Sequence, residues 1–126
     1  QFYFDVSVTD IFVTMCVGGT LHLIPNDSFV FPGKIMKYLV ANKITTIFWV
    51  PSVLIYFANE KSLNKIQNLS LNKILFAGEI MPNKQLNIWR KYLPNTLFAN
   101  LYGPTEVTVI ASFYIVDRQF SDDELL

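Results

Sequence analysis

Asn100-Leu101-Tyr102-Gly103-Pro104-Thr105-Glu106 collects an aromatic ring, a tight turn, a hydroxyl and a carboxylate in one short stretch. Tyr102 offers a face on which a flat base can stack. Gly103 and Pro104 force a turn and admit close backbone approach. Thr105 has a hydroxyl proton to give a phosphate oxygen, and Glu106 is a hard oxygen ligand suited to Mg2+. The same residues also serve plain structure, with Gly-Pro as a loop breaker and Glu106 as a solvated charge. Roughly a hundred positions earlier stands Phe4-Asp5-Val6-Ser7. Asp5 there is either a carboxylate favoured by a helix dipole, worth about 0.3–1 kcal/mol, or the receiver of a ligand's ammonium group.

Elements of two periods position these residues. Ser7 is expected to cap a helix whose apolar stripe runs through Val8, Ile11, Phe12, Met15 and Cys16, ended by Gly18-Gly19. Thr20 to Ile24 reads as a short strand closed by Pro25-Asn26-Asp27. Helices are expected over Phe31–Ala41, Ser52–Asn59 and Pro82–Tyr92, with Pro32 and Pro82 tolerated in first turns. Strands are expected over Ile44–Val50, Lys73–Ala77, Thr96–Leu101 and Thr108–Ile115. Residues 61–71 read as polar and irregular, and Ser121–Leu126 as a polar tail. Strand–helix–strand alternation predicts an α/β fold with a parallel sheet covered on both faces. Ligands on such sheets bind at the carboxyl ends of the strands. The loops Val50-Pro51-Ser52, Ala77-Gly78-Glu79 and Leu101 to Glu106 should therefore open on one sheet edge.

Composition sets outer bounds. The chain has 126 residues, 52% apolar and only 16% charged, with a formal net charge of zero. That excludes a disordered chain. It also excludes nucleic-acid binding driven by a basic surface. Cys16 stands alone, so an intrachain disulfide is impossible, and it reads as a buried apolar thiol in a reducing, cytoplasmic setting. The one histidine, His22, has no orienting acid beside it in sequence. The longest uncharged run, Ile11 to Asn26, falls short of the ~20 clean apolar residues of a membrane span. No basic start and apolar stretch marks a secretory signal.

Taken in order, Phe4-Asp5-Val6-Ser7, Gly18-Gly19-Thr20-Leu21, Ala77-Gly78-Glu79-Ile80-Met81-Pro82 and Asn100 to Glu106 resemble core motifs of the adenylate-forming enzymes. The likeness is closer to amino-acid adenylation domains of nonribosomal peptide synthetases and to D-alanine–carrier-protein ligases, and it covers nearly the whole chain. It implies a three-layer α/β subdomain of a large N-terminal domain, using ATP and Mg2+. In this likeness Tyr102 stacks on adenine, Asn100 lies near its exocyclic amine, Gly78 and Glu79 lie along its edge, and Gly103 shapes the nucleotide loop. Thr105 touches the α-phosphate and Glu106 helps hold Mg2+, the pair acting in catalysis. Asp5 binds the α-ammonium of an amino acid. The side-chain pocket falls on Val6, Thr9, Phe48, Leu75, Ala77, Leu101, Val109 and Ile110, an apolar set that favours small or hydrophobic side chains. Each of these eight also reads as plain core. The resembling D-alanine ligases carry a cysteine where this chain has Ala77, so the likeness leaves substrate and stereochemistry open. The aminoacyl group is implied to pass to the phosphopantetheine thiol of a carrier protein.

The resemblance also implies parts outside residues 1–126: a phosphate loop before them, and a ribose-binding Asp, a hinge and a catalytic Lys after them. The chain is therefore expected to be a central part of an adenylation domain and inactive alone. Its high apolar share predicts exposed hydrophobic patches and self-association through them. Two other classes stay open: a non-catalytic α/β binding module of the same fold, and an unrelated flavodoxin-like domain. The second requires Asp5, Gly78 and Tyr102 to lie on separate surfaces.

Overall fold

The computed structural model describes residues 4–124. Its centre is a four-stranded sheet in the order β1-β2-β3-β4, with β1 Thr46–Trp49, β2 Lys73–Ala77, β3 Leu97–Tyr102 and β4 Ser112–Ile115. The first three strands are parallel, as strand–helix–strand alternation requires. α3 (Pro51–Asn59) links β1 to β2, and α4 (Asn83–Tyr92) links β2 to β3. α1 (Val6–Cys16) and α2 (Pro32–Ala41) precede the sheet. Pro51 and Pro32 open their helices at the first position, where a missing N–H costs nothing.

One face of the sheet carries the core. Ile47, Ile74, Phe76 and Phe98 alternate onto it and meet Met36 and Leu39 of α2, Leu54 and Phe57 of α3, and Leu86 and Trp89 of α4. Trp89 is fully buried, and its indole N–H donates to the Leu54 carbonyl at 2.9 Å, tying α4 to α3. A short 3₁₀ turn, Asn26–Val30, sets Phe29 edge-on against Trp49. The opposite face carries Phe48, Leu75, Ala77, Ala99, Leu101 and Phe113, by register and pleat alternation. Ala99 and Leu101 are buried there, outside the core cluster, whereas Phe113 is 67% exposed.

Several local expectations need correction. β4 is antiparallel to β3. With no helix between them, the chain returns by a direct loop, which only antiparallel pairing allows. The expected strand over 108–115 begins only at Ser112, because a 3₁₀ turn at Thr105–Val107 and positive φ at Thr108 and Val109 take up its first half. Thr20–Ile24 forms no strand among the described residues; its β-branched pattern has no ladder partner there, and an unpaired segment cannot hold sheet geometry. Ser7 does not cap α1. The N-cap is Asp5, and the Ser7 hydroxyl donates to the Phe4 carbonyl at 2.7 Å. Cys16 is exposed rather than buried, since no residue of α1 is buried.

Residues 121–124 do not trail as a free tail; Leu125 and Leu126 lie outside the described residues. Asn83, Asn87 and Arg90 recur at helical spacing along α4 and donate to the Glu124, Phe120 and Arg118 carbonyls. Phe120 is buried in the core, with the Arg118 guanidinium 3.9 Å from its ring centre.

Candidate functional site

Parallel β1, β2 and β3 end on one edge, so the loops after them open together, as expected. The structure adds a direct tie between two of them. The Glu79 carboxylate accepts from the Ser52 backbone N–H at 2.7 Å and from its hydroxyl at 3.2 Å. Ser52 lies in the first turn of α3, whose first N–H groups have no intrahelical partner. A carboxylate from the β2 loop thus closes the start of the helix that follows β1. Gly78, just before it, has φ of +88° with open space around it. Its backbone geometry, rather than crowding, calls for glycine.

The loop after β3 is crowded against itself. A Cβ on Gly103 would lie 2.7 Å from Ala111 N and 2.8 Å from Ile110 Cα, and closer still to the Val109 carbonyl. Gly103 is thus needed for the approach of its own chain, where the sequence had suggested approach by a ligand. Val109 has φ of +77°, and the Ile110 N–H donates to the Thr108 carbonyl at 3.0 Å. That is a γ-turn of the rare, strained hand. A buried β-branched residue at positive φ is a true backbone outlier, of the kind that gathers at functional loops.

The two motifs most separated in sequence meet here. The Thr105 hydroxyl donates to Asp5 Oδ2 at 2.6 Å across 100 positions. Asp5 stands at the N-cap of α1 but makes no side-chain cap bond to its own helix. Its carboxylate is directed to the β3 loop, which the helix-dipole reading does not require.

Pleat alternation sorts the remaining candidates. Phe48 pairs with Leu75, and Ala77 with Leu101, all on the face opposite the core. Asn100 pairs with Phe76 on the core face, and Tyr102 shares that side two residues on. Of the strand residues, Phe48, Leu75, Ala77 and Leu101, expected at the substrate's side chain, thus lie on the sheet face opposite Asn100 and Tyr102, expected at the base. Tyr102 is 71% exposed, with its ring available for stacking. Val6 and Thr9 lie half-buried in α1, Val109 is buried, and Ile110 is half-buried in the loop. Val109 and Ile110 do not lie on a strand. Glu106 is exposed beside Thr105. Among the described residues no group of three or more His, Cys, Asp or Glu could hold a metal ion.

Two clefts, of about 360 and 420 Å³, are lined by residues such as Asn59, Lys61, Lys91 and Tyr92, and Leu63, Ile66 and Leu93. They lie where α3 and α4 end, at the edge where the strands begin, and have no part in this site.

Residues 1–125 match the family described as AMP-binding enzyme. The chain belongs to that family. Among AMP-binding relatives, an L-proline–[L-prolyl-carrier protein] ligase of Pseudomonas fluorescens is 34% identical over 90% of this chain and 23% of its own length. A D-alanine–D-alanyl carrier protein ligase of Staphylococcus epidermidis is 34% identical over 93% of this chain and 24% of its own. The chain thus spans about a quarter of the length of these curated relatives. Among solved AMP-binding structures, the Vibrio cholerae adenylation domain AlmE in complex with glycyl-adenosine-5'-phosphate superposes with a TM-score of 0.75 at 26% identity. That match covers 89% of this chain and 20% of AlmE. An unrelated flavodoxin-like domain is thereby set aside. The Asp5–Thr105 contact agrees, since it brings Asp5 beside the loop that follows Tyr102.

Sequence reasoning marked the Ser52 loop but gave Ser52 no partner; nothing in its local pattern points 27 positions on to Glu79. It also passed over Asp10 on α1, whose carboxyl is pushed up from the usual carboxylate range by burial. His22 Nδ1 lies 3.0 Å from the Tyr38 hydroxyl. No helix among the described residues is long and apolar enough to cross a membrane.

Proposed function

We propose that this chain is the central part of an adenylation domain in an ATP-dependent ligase that activates an amino acid as its aminoacyl-adenylate. The ligase then passes the aminoacyl group to the phosphopantetheine thiol of a carrier protein. The carrying observation is the Asp5–Thr105 contact, which puts the carboxylate suited to an ammonium group beside the hydroxyl suited to a phosphate. Membership of the AMP-binding family supports the reading, as do relatives named as aminoacyl-carrier ligases. An aminoacyl-adenylate bound to AlmE, on the same fold, supports it further.

In this reading Asp5 receives the substrate ammonium, and Val6, Thr9, Phe48, Leu75, Ala77, Leu101, Val109 and Ile110 line its side-chain pocket. Asn100 and Tyr102 hold adenine, with Gly78 and Glu79 at its edge. Gly103 keeps the β3 loop closed on itself so that Thr105 faces the α-phosphate. Glu106 suits Mg2+ as a single exposed carboxylate, because that ion is commonly held by one or two carboxylates together with substrate phosphates. Held by Glu106, the ion would supply positive charge to offset that developing on the α-phosphate. A bound acid without an amine would shield the half-buried Asp5 carboxylate from water and give it no cation in return, so amine-free acids are disfavoured. The proposed use of ATP fits a cytoplasmic setting. The 126-residue chain alone is expected to self-associate through exposed apolar side chains and to lack the exchange activity.

Amino-acid-dependent ATP–pyrophosphate exchange by the full-length ligase, screened over L- and D-amino acids, tests the reading. Exchange with a small or apolar amino acid supports it. No exchange with any of them, in a folded full-length protein, favours a non-catalytic binding module.

A further inference from the structure

Thr105 is the first residue of a 3₁₀ turn whose backbone is pinned on both sides. The Val107 N–H donates to the Pro104 carbonyl and the Thr108 N–H to the Thr105 carbonyl, each at 3.1 Å. Crowding at Gly103 fixes the start of the same loop. The freedom left to Thr105 is rotation of its exposed side chain. A threonine hydroxyl has one proton. Here the hydroxyl donates that proton to Asp5 Oδ2, with the two oxygens 2.6 Å apart, a short charge-assisted bond. It cannot at the same time be donated fully to a phosphate oxygen. The role proposed for Thr105 at the α-phosphate therefore competes with the bond the structure contains.

An ammonium group arriving at Asp5 changes this balance. It neutralises the carboxylate and reduces the Thr105–Asp5 bond from a charged to an ordinary one. The hydroxyl is then free to turn toward the stronger acceptor, the nucleotide's α-phosphate. We infer that Thr105 is a positioning residue that couples the two sites: an ammonium-bearing ligand at Asp5 releases its hydroxyl for the nucleotide, and each ligand tightens binding of the other. The inference rests on the function proposed above. The coupling is reciprocal by linkage, and couplings of this kind amount to about 5-fold or more.

The test uses amino alcohols, which carry the ammonium but lack the reacting carboxylate, so that ATP binds without turnover. ATP is titrated calorimetrically into the full-length ligase with and without saturating L-alaninol, D-alaninol or L-prolinol. In the wild-type protein at least one alcohol is expected to tighten ATP binding about 5-fold or more. Thr105→Val keeps the side-chain shape but has no proton to give, and the ratio should fall to near one. Thr105→Ser restores a hydroxyl and should restore the coupling. Thr105 is exposed, and thermal unfolding of each variant checks that the fold is intact. A wild-type ligase that exchanges pyrophosphate but shows no coupling overturns the inference alone. So does a Thr105→Val variant that keeps the coupling. A full-length protein with no amino-acid-dependent exchange removes the functional reading and this inference with it.

Discussion

Glu79, proposed to lie at the adenine's edge, also ties two loops together. Its carboxylate engages Ser52 through two bonds, so it both closes the start of α3 and fixes Gly78 on the β2 loop. Glu79→Ala removes both bonds. It should raise the KM for ATP in the full-length ligase several-fold, leave the KM for the amino acid unchanged, and lower stability by about 0.5–1 kcal/mol, typical of a lost helix N-terminal partner. Glu79→Gln keeps an acceptor and should recover most of the ATP affinity. Steady-state kinetics with each substrate varied in turn reads the split. Equal changes in both KM values would mean general loosening instead. At this scale the sequence offered Asp5, Tyr102 and Thr105 as candidates by residue type, and the fold adds that Asp5 and Thr105 meet. Ser52 was not legible, because its partner comes from another loop and only the fold brings the two together.

Among the elements, what could be read from sequence follows from how local each signal is. Lys73–Ala77 matched its strand at both ends because β-branched and aromatic residues meet a glycine there. Gly18, at φ +65°, ended α1 as expected. Two other helix ends were less visible. Lys43 and Lys61 adopt φ of +51° and +52° just past α2 and α3, the position that usually falls to glycine. A non-glycine residue pays roughly 1 kcal/mol or more there. Lys43→Gly should therefore stabilise the fold by about 1 kcal/mol, seen as a raised denaturant midpoint with unchanged slope. The antiparallel β4 and the docked segment 116–124 depend on tertiary partners that no local window contains. The Arg118 guanidinium, 2.5 Å from the Glu124 carboxylate, holds the Glu124 pKa below its ordinary value. A group whose pKa is lowered on folding adds stability above its unfolded pKa and loses it as pH falls through the folded one. The 118–124 segment should thus keep its hydrogen-exchange protection at neutral pH and lose it first on acidification through the carboxylate range. Protection unchanged under acid would mean that Phe120 and the α4 amide bonds suffice.

At the scale of the molecule, the neutral, apolar composition finds a physical place. Phe12, Val13, Met15 and Val17 of α1 and its end, with Phe113 and Ile115 of β4, are exposed. Large apolar side chains exposed on one helix and on one edge strand favour association with another apolar surface. The 126-residue chain in isolation should elute above monomer size at micromolar concentration and bind a hydrophobic dye. A monodisperse, dye-silent monomer would contradict this. The sheet sets Phe48, Leu75, Ala77 and Leu101 on the face opposite Asn100 and Tyr102, and beyond the end of β3 Thr105 meets Asp5. The most direct measurement of that arrangement is pyrophosphate exchange by the full-length ligase, wild type against Asp5→Ala, with amino acids and their amine-free analogues. The account predicts exchange that requires the amine. It also predicts a loss of about tenfold to a hundredfold in kcat/KM for Asp5→Ala, the scale of one charged hydrogen bond. Exchange supported equally by amine-free acids and untouched by Asp5→Ala would contradict it.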